Sequence, residues 1–212
     1  MGGRLMMRFH LGPVPEGDFE PDPGWQPLDE PAPDAFLVKA SYVAGAAGML
    51  FVPAWYFLTP LQLQHLGMPS AGTIAMTIPA FALLIIVHEL LHAVFHPRFG
   101  TSPQTVIGLW PKHGVFYAHY KGEIGRNRFI TLMLTPFIVI SVLPLIAAAV
   151  FDIPSTWAAG ISILNAMLAC GDLLGASMIA RQVPASAVVR NHGWRSYWRP
   201  LTAPRGHAHV QS

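Results

Sequence analysis

The residues best placed to do chemistry are His88-Glu89-Leu90-Leu91-His92, two imidazoles four positions apart with a carboxylate between them. Four residues advance a helix by about 400°, so both rings leave one face and can share a single metal ion. This spacing with an intervening Glu is the ligand pattern of zinc-dependent hydrolysis, in which the Glu acts as general base. Catalytic zinc usually takes three protein ligands and keeps one position open, so a third ligand is required. Cys170 is the single cysteine, which leaves that place to His, Asp or Glu.

The element that carries the motif has to be a membrane helix. Of the 212 residues 52% are hydrophobic and only 11% charged, and the mean hydropathy is +0.42, whereas soluble domains carry about 25% charged residues. The apolar residues gather in four runs, 35–58, 72–95, 129–151 and 155–180, each near the roughly 20 residues that cross a bilayer. An ionised acid at mid-membrane costs about 2.5–3.5 kcal/mol on insertion scales, so Glu89 inside the second run requires a compensating role. Prolines 53, 79, 136 and 144 predict kinks, which neighbouring helices can accommodate.

The expected architecture is therefore an all-α membrane protein of four transmembrane helices. Residues 1–34 contain seven prolines and seven of the eleven acidic residues and are expected to form a disordered, Pro-rich tail. Residues 35–180 form the four-helix membrane domain, and 181–212 a basic tail. Between the second and third spans, the β-rich runs Thr105–Trp110 and Val115–Tyr120 flank Pro111-Lys112-His113-Gly114 and predict a hairpin. Small residues Ser41, Ala44, Gly45, Ala47 and Gly48 on the first span permit close helix packing.

Twelve of the thirteen Lys and Arg residues fall in the two termini and in the loop between the second and third spans, and Lys39 lies close enough to the start of the first span to reach the same face. The positive-inside rule makes that face cytoplasmic, with both termini inside. The expected location is a multi-pass protein of the cell membrane, and a nucleic-acid partner is not expected.

Among acidic residues outside the motif, Asp172 is the one well inside a span. At 1.5 Å per residue it lies about 12 Å from the cytoplasmic end of the fourth helix, a depth comparable to that of His88 and His92. Asp172 is the expected third ligand, with Glu123, His113 and His119 of the loop as the other candidates. His96, one further turn along and followed by Pro97, falls at the helix end. Asn165 stands seven residues before Asp172, on nearly the same side, and is a candidate for binding the substrate backbone or for an interhelical hydrogen bond.

These residues resemble those of the zincin-type membrane peptidases related to site-2 proteases. The resemblance rests on His88 to Ala93, on the Arg128-Phe129 entry to a helix bearing Thr135-Pro136-Phe137, and on Asn165 with Gly171-Asp172. It covers roughly residues 72–180. The chain departs from the site-2 protease pattern in having no proline between Asn165 and Asp172 and Leu173 after the acid. The resemblance implies zinc on His88, His92 and Asp172, with Glu89 as the base. The expected activity is zinc-dependent endopeptidase cleavage of membrane-protein or peptide substrates near the cytoplasmic side. A catalytically inactive scaffold of the same fold, or a haem- or metal-handling membrane protein, is the alternative; haem would favour His residues on opposed helices.

Overall fold

The computed structural model describes residues 7–61 and 70–201. Residues 1–6 of the N-terminal tail with Arg4, residues 62–69 of the loop expected outside, and residues 202–212 with Arg205 lie outside the described residues.

Helix α1 spans Pro33–Leu58 and opens with Pro33, whose missing N–H costs nothing in a first turn. Helix α2, Ala71–Val94, starts on Ser70, whose hydroxyl accepts a hydrogen bond from the Thr73 amide at 3.1 Å. A third segment runs from Arg126 to Val150 as α3 (Arg126–Pro136), a π turn (Phe137–Val142) and α4 (Leu143–Val150). These three segments are long and apolar enough to cross a membrane. Residues such as Met49, Phe57, Ile78 and Ile86 are more than half exposed along α1 and α2, an arrangement that suits lipid and not water.

The expected fourth span is a bent pair. Helix α5 (Thr156–Leu168) and helix α6 (Cys170–Gln182) meet at 48° across Ala169. The bend forms without a proline: the Ala169 amide turns back to the Asn165 and Met167 carbonyls, and a new helix begins with Asp172 in its first turn. A carboxylate there is favoured by the helix dipole. Counted as one span, the pair brings the total to four.

The all-α expectation is wrong, because the fold is mixed and holds two β-sheets. The first has the order β1-β3-β4. Strands β3 (Thr105–Trp110) and β4 (Val115–Tyr120) form the hairpin with Thr105 opposite Tyr120, and β1 (Arg8–Leu11) lies parallel to β3. In the second sheet the order is β2-β7-β6-β5, made of Gln26–Pro27, Arg195–Pro200, Ala187–His192 and Ile124–Gly125. The N-terminal segment expected to be disordered thus gives one strand to each sheet, and the basic C-terminal tail supplies a second hairpin. These strands are short and most of their partners are distant in sequence, so no local periodicity announces them.

Burial explains why the termini order. Phe19 and Trp25 stack edge-on at 5.0 Å and pack with Val188 and Tyr197 of the second sheet. The guanidinium of Arg190 lies 4.3 Å from the Phe19 ring centre, and that of Arg199 4.7 Å from Trp25. Glu30 accepts from the Ser196 amide and hydroxyl, while burial pushes its carboxyl up to about 7. A second core joins sheet to helices through Ile124, Phe129, Leu132, Ile179 and Val189. A third, with Phe51, Trp55, Ala159 and Ala166, holds α1 against α5.

Candidate metal centre

His88 and His92 face inward from α2 and are 6% and 5% exposed. Their Nε2 atoms lie 3.2 Å apart, and each also meets Asp172, His88 at 3.0 Å from Oδ2 and His92 at 3.3 Å from Oδ1. Asp172 comes from α6, eighty residues along the chain from His92. His88, His92 and Asp172 form one cluster with ligand atoms within 4.8 Å of one another.

The other nitrogen of each ring decides what this cluster can hold. His92 Nδ1 lies 2.9 Å from the Leu132 carbonyl, which can only accept, so Nδ1 carries the proton. His88 Nδ1 lies 2.8 Å from Asn165 Oδ1. The Asn165 amide orientation is set by its own donors, since Nδ2 reaches the Pro136 carbonyl at 3.0 Å and Ser141 Oγ at 2.9 Å. With each Nδ1–H committed, both Nε2 atoms face the same carboxylate, where either a proton or a metal cation can sit between them; as neutral rings, two imidazoles with one carboxylate are a zinc-type donor set. Outer hydrogen bonds that fix the tautomer are also a general feature of His ligands.

The Leu132 carbonyl is free for this duty because of Pro136. In an α-helix the amide of residue 136 would bond to carbonyl 132, and proline has no N–H to give. Sequence reasoning noticed the Thr135-Pro136-Phe137 pattern but not that it releases an acceptor one turn earlier; a proline four residues after a buried leucine is the signal. Ser141 was missed as well. It sits in the π turn, fully buried, and ties Asn165 to Ser162, whose hydroxyl donates to the Ser141 carbonyl at 2.8 Å and accepts from Trp55 Nε1 at 2.9 Å. A π turn lacks regular α-helical pairing and commonly occurs where a side chain must be placed for function.

Glu89 is buried beside the two imidazoles, and among the described residues its Oε2 has no hydrogen-bond partner. It faces a cavity of about 540 Å³ lined also by His88, Asp172, Phe81 and Met133, within the usual size of ligand sites. Strand β4 forms another wall through residues 115–119. Among the described residues it is the open edge of the first sheet, with β3 on its other side.

The remaining candidates are elsewhere. Asn165 is fully buried with both amide hydrogens committed and its Oδ1 against His88 Nδ1, which is the interhelical hydrogen bond expected as the alternative to substrate binding. Glu123 pairs with Arg199 at 2.9 Å, and His113 Nδ1 lies 3.4 Å from Asp34. His96 meets Thr105 Oγ1 at 3.3 Å, and burial holds its imidazole down at about 3. His119 lines the cavity on β4, with burial lowering it to about 4, but it is not part of the metal cluster.

No curated protein and no solved structure matches the chain. Residues 81–188, just over half of the 212, match the model of the family described as "Putative zincin peptidase". The matched stretch holds His88, His92, Glu89, Pro136, Asn165 and Asp172, and the chain belongs to that family.

Proposed function

We propose that this protein is a zinc-dependent endopeptidase that cleaves membrane-protein substrates within the bilayer, near its cytoplasmic side. The observation that carries the reading is the convergence of His88 Nε2, His92 Nε2 and Asp172 beside Glu89, whose Oε2 has no partner among the described residues. His88, His92 and Asp172 would hold the zinc, which when bound supplies a Lewis acid and an activated water at neutral pH. Glu89 accepts a proton from water as its oxygen adds to the scissile carbonyl carbon. The same carboxyl then delivers that proton to the amide nitrogen as the C–N bond breaks, leaving a carboxylate and an amine.

A peptide bond inside a helix is shielded, so the substrate must be extended where it reacts. The open edge of β4 offers unpaired backbone groups beside Glu89 and suits capture of an extended segment as an added strand. A site near one membrane face is supported by its place on α2, where His88 and His92 occupy the last two turns. That face is cytoplasmic under the positive-inside rule, which also puts both termini inside.

Glu89→Gln tests the assignment. Purified wild-type and variant protein should hold the same zinc by elemental analysis. In membranes, proteomic comparison of the two should show substrates cut only by the wild type, at rates about 10²–10⁴-fold above the variant. A variant that holds zinc and cleaves at the wild-type rate would overturn the role of Glu89.

A further inference from the structure

Among the described residues, the outer rows of one face of the first sheet are left uncovered. Cross-strand partners share a face and alternate along each strand, so Phe9 aligns with Ile107 and Ala118, and Leu11 with Leu109 and Phe116. All six are apolar. Phe9 is 72% exposed, Leu11 64% and Phe116 42%. The opposite face is packed: the Tyr117 hydroxyl donates to the Gly12 and Pro13 carbonyls, and Trp110 meets Trp194 of the second hairpin at 6.0 Å.

We infer that this face is a membrane-contact surface, seated in the interfacial region of the lipid bilayer. Continuity with the spanning helices identifies lipid as the occupant. At the inner end of the same face, Thr105 and Tyr120 meet His96, two residues beyond α2, at 3.3 Å and a 5.4 Å ring separation. These rows extend from that junction, which adjoins the last turns of α2 with the exposed Leu90 and Val94. The segment between α2 and the sheet points the same way: Arg98 and Phe99 take left-handed φ values of 58° and 53°, and the Phe99 ring is 80% exposed. Gly100 follows at 75°, where an added Cβ would lie 2.6 Å from the Ala93 carbonyl, so the turn stays tight against α2. Exposed Arg98 and Lys112 border the sheet with positive charge that suits anionic headgroups. The strand β1, far from the motif in sequence, thus completes a lipid-facing surface adjoining the edge proposed to receive the substrate.

The inference rests on the reading of the helices as membrane spans, and its test separates the two. Full-length protein carrying Cys170→Ser receives single nitroxide labels at Phe9→Cys, Leu11→Cys, Arg8→Cys or Ile78→Cys, in vesicles of phosphatidylcholine and phosphatidylglycerol. Positions 9 and 11 should collide with oxygen more than with a water-soluble nickel chelate, as should Ile78 on α2, while Arg8 on the other face should show the reverse. Nickel-dominated collision at 9 and 11 with Ile78 still oxygen-dominated would overturn the inference and leave the spans standing. Nickel dominance at Ile78 as well would remove both. Spin–spin broadening at 9 and 11 that vanishes on dilution with unlabelled protein would show a second copy on the face, and this too overturns lipid contact.

Discussion

Helix α2 and the bent pair α5–α6 each bring polar residues to the centre by different means. Along α2 the helix is continuous, and His88 and His92 meet because four residues nearly complete a turn. The pair α5–α6 breaks at Ala169, with Asn165 in the last turn before the bend and Asp172 in the first turn after it. Asn165 then orients His88 from one side while Asp172 faces both Nε2 atoms from the other. Two candidate ligands are a local property of one helix. The third candidate, and both tautomer-fixing contacts, depend on elements packed against it.

The strongest way to break this comparison is to remove the ligands one at a time. His88→Ala or His92→Ala should abolish most zinc binding, whereas Asp172→Ala should weaken it and leave a partly occupied site, read by elemental analysis after dialysis. Full zinc retention and activity in Asp172→Ala would separate α6 from the metal. Next in size is Asn165→Ala, which leaves the His88 Nδ1–H and Ser141 Oγ without their buried partner. Loss of such an outer contact typically lowers metal affinity about 10–100-fold, measurable by competition with a chelator. Unchanged affinity would mean that His88 keeps its tautomer without α5.

Pro136→Ala sharpens the comparison at a third element. The restored amide at 136 can bond to the Leu132 carbonyl and compete with His92 Nδ1 for it, so zinc affinity should fall about tenfold. Equal affinity in the two proteins would show that freeing this carbonyl is irrelevant to His92. The smallest effect is expected at Glu30→Gln, outside the helical site. A carboxyl raised from 4.5 to about 7 makes the folded protein bind more protons than the unfolded chain in that interval. Stability from this group is therefore greatest below 4.5 and is lost as pH rises through about 7. The Gln variant should flatten that slope in thermal unfolding while its zinc affinity stays at the wild-type level; a changed affinity would mean that the sheet layer also positions the ligands.

The motif on α2 was legible because its chemistry and its geometry sit within five residues. That Asp172 meets the motif was also legible, by a weaker argument from depth, since a buried acid in an apolar run is costly and rare. The hairpin boundaries followed from β-rich runs around a turn. By contrast, the disordered-tail expectation failed at Phe19 and Trp25, which bury against strands more than 160 residues away. A Pro-rich, acidic stretch reads as unable to form a core alone, and it does not form one alone.

By itself, the sequence determined which residues could bind a metal, which segments are apolar enough to cross a membrane, and that one acid matches the motif in depth. Composition and helical period are local quantities, and these conclusions need nothing else. Tertiary structure decided the bend at Ala169, the pairing of both termini into sheets and the role of Asn165. It also decided that the Leu132 carbonyl released by Pro136 would face His92. Each of these depends on which distant partner fills a hydrogen bond or covers an apolar surface, and that choice is made by packing of the whole chain.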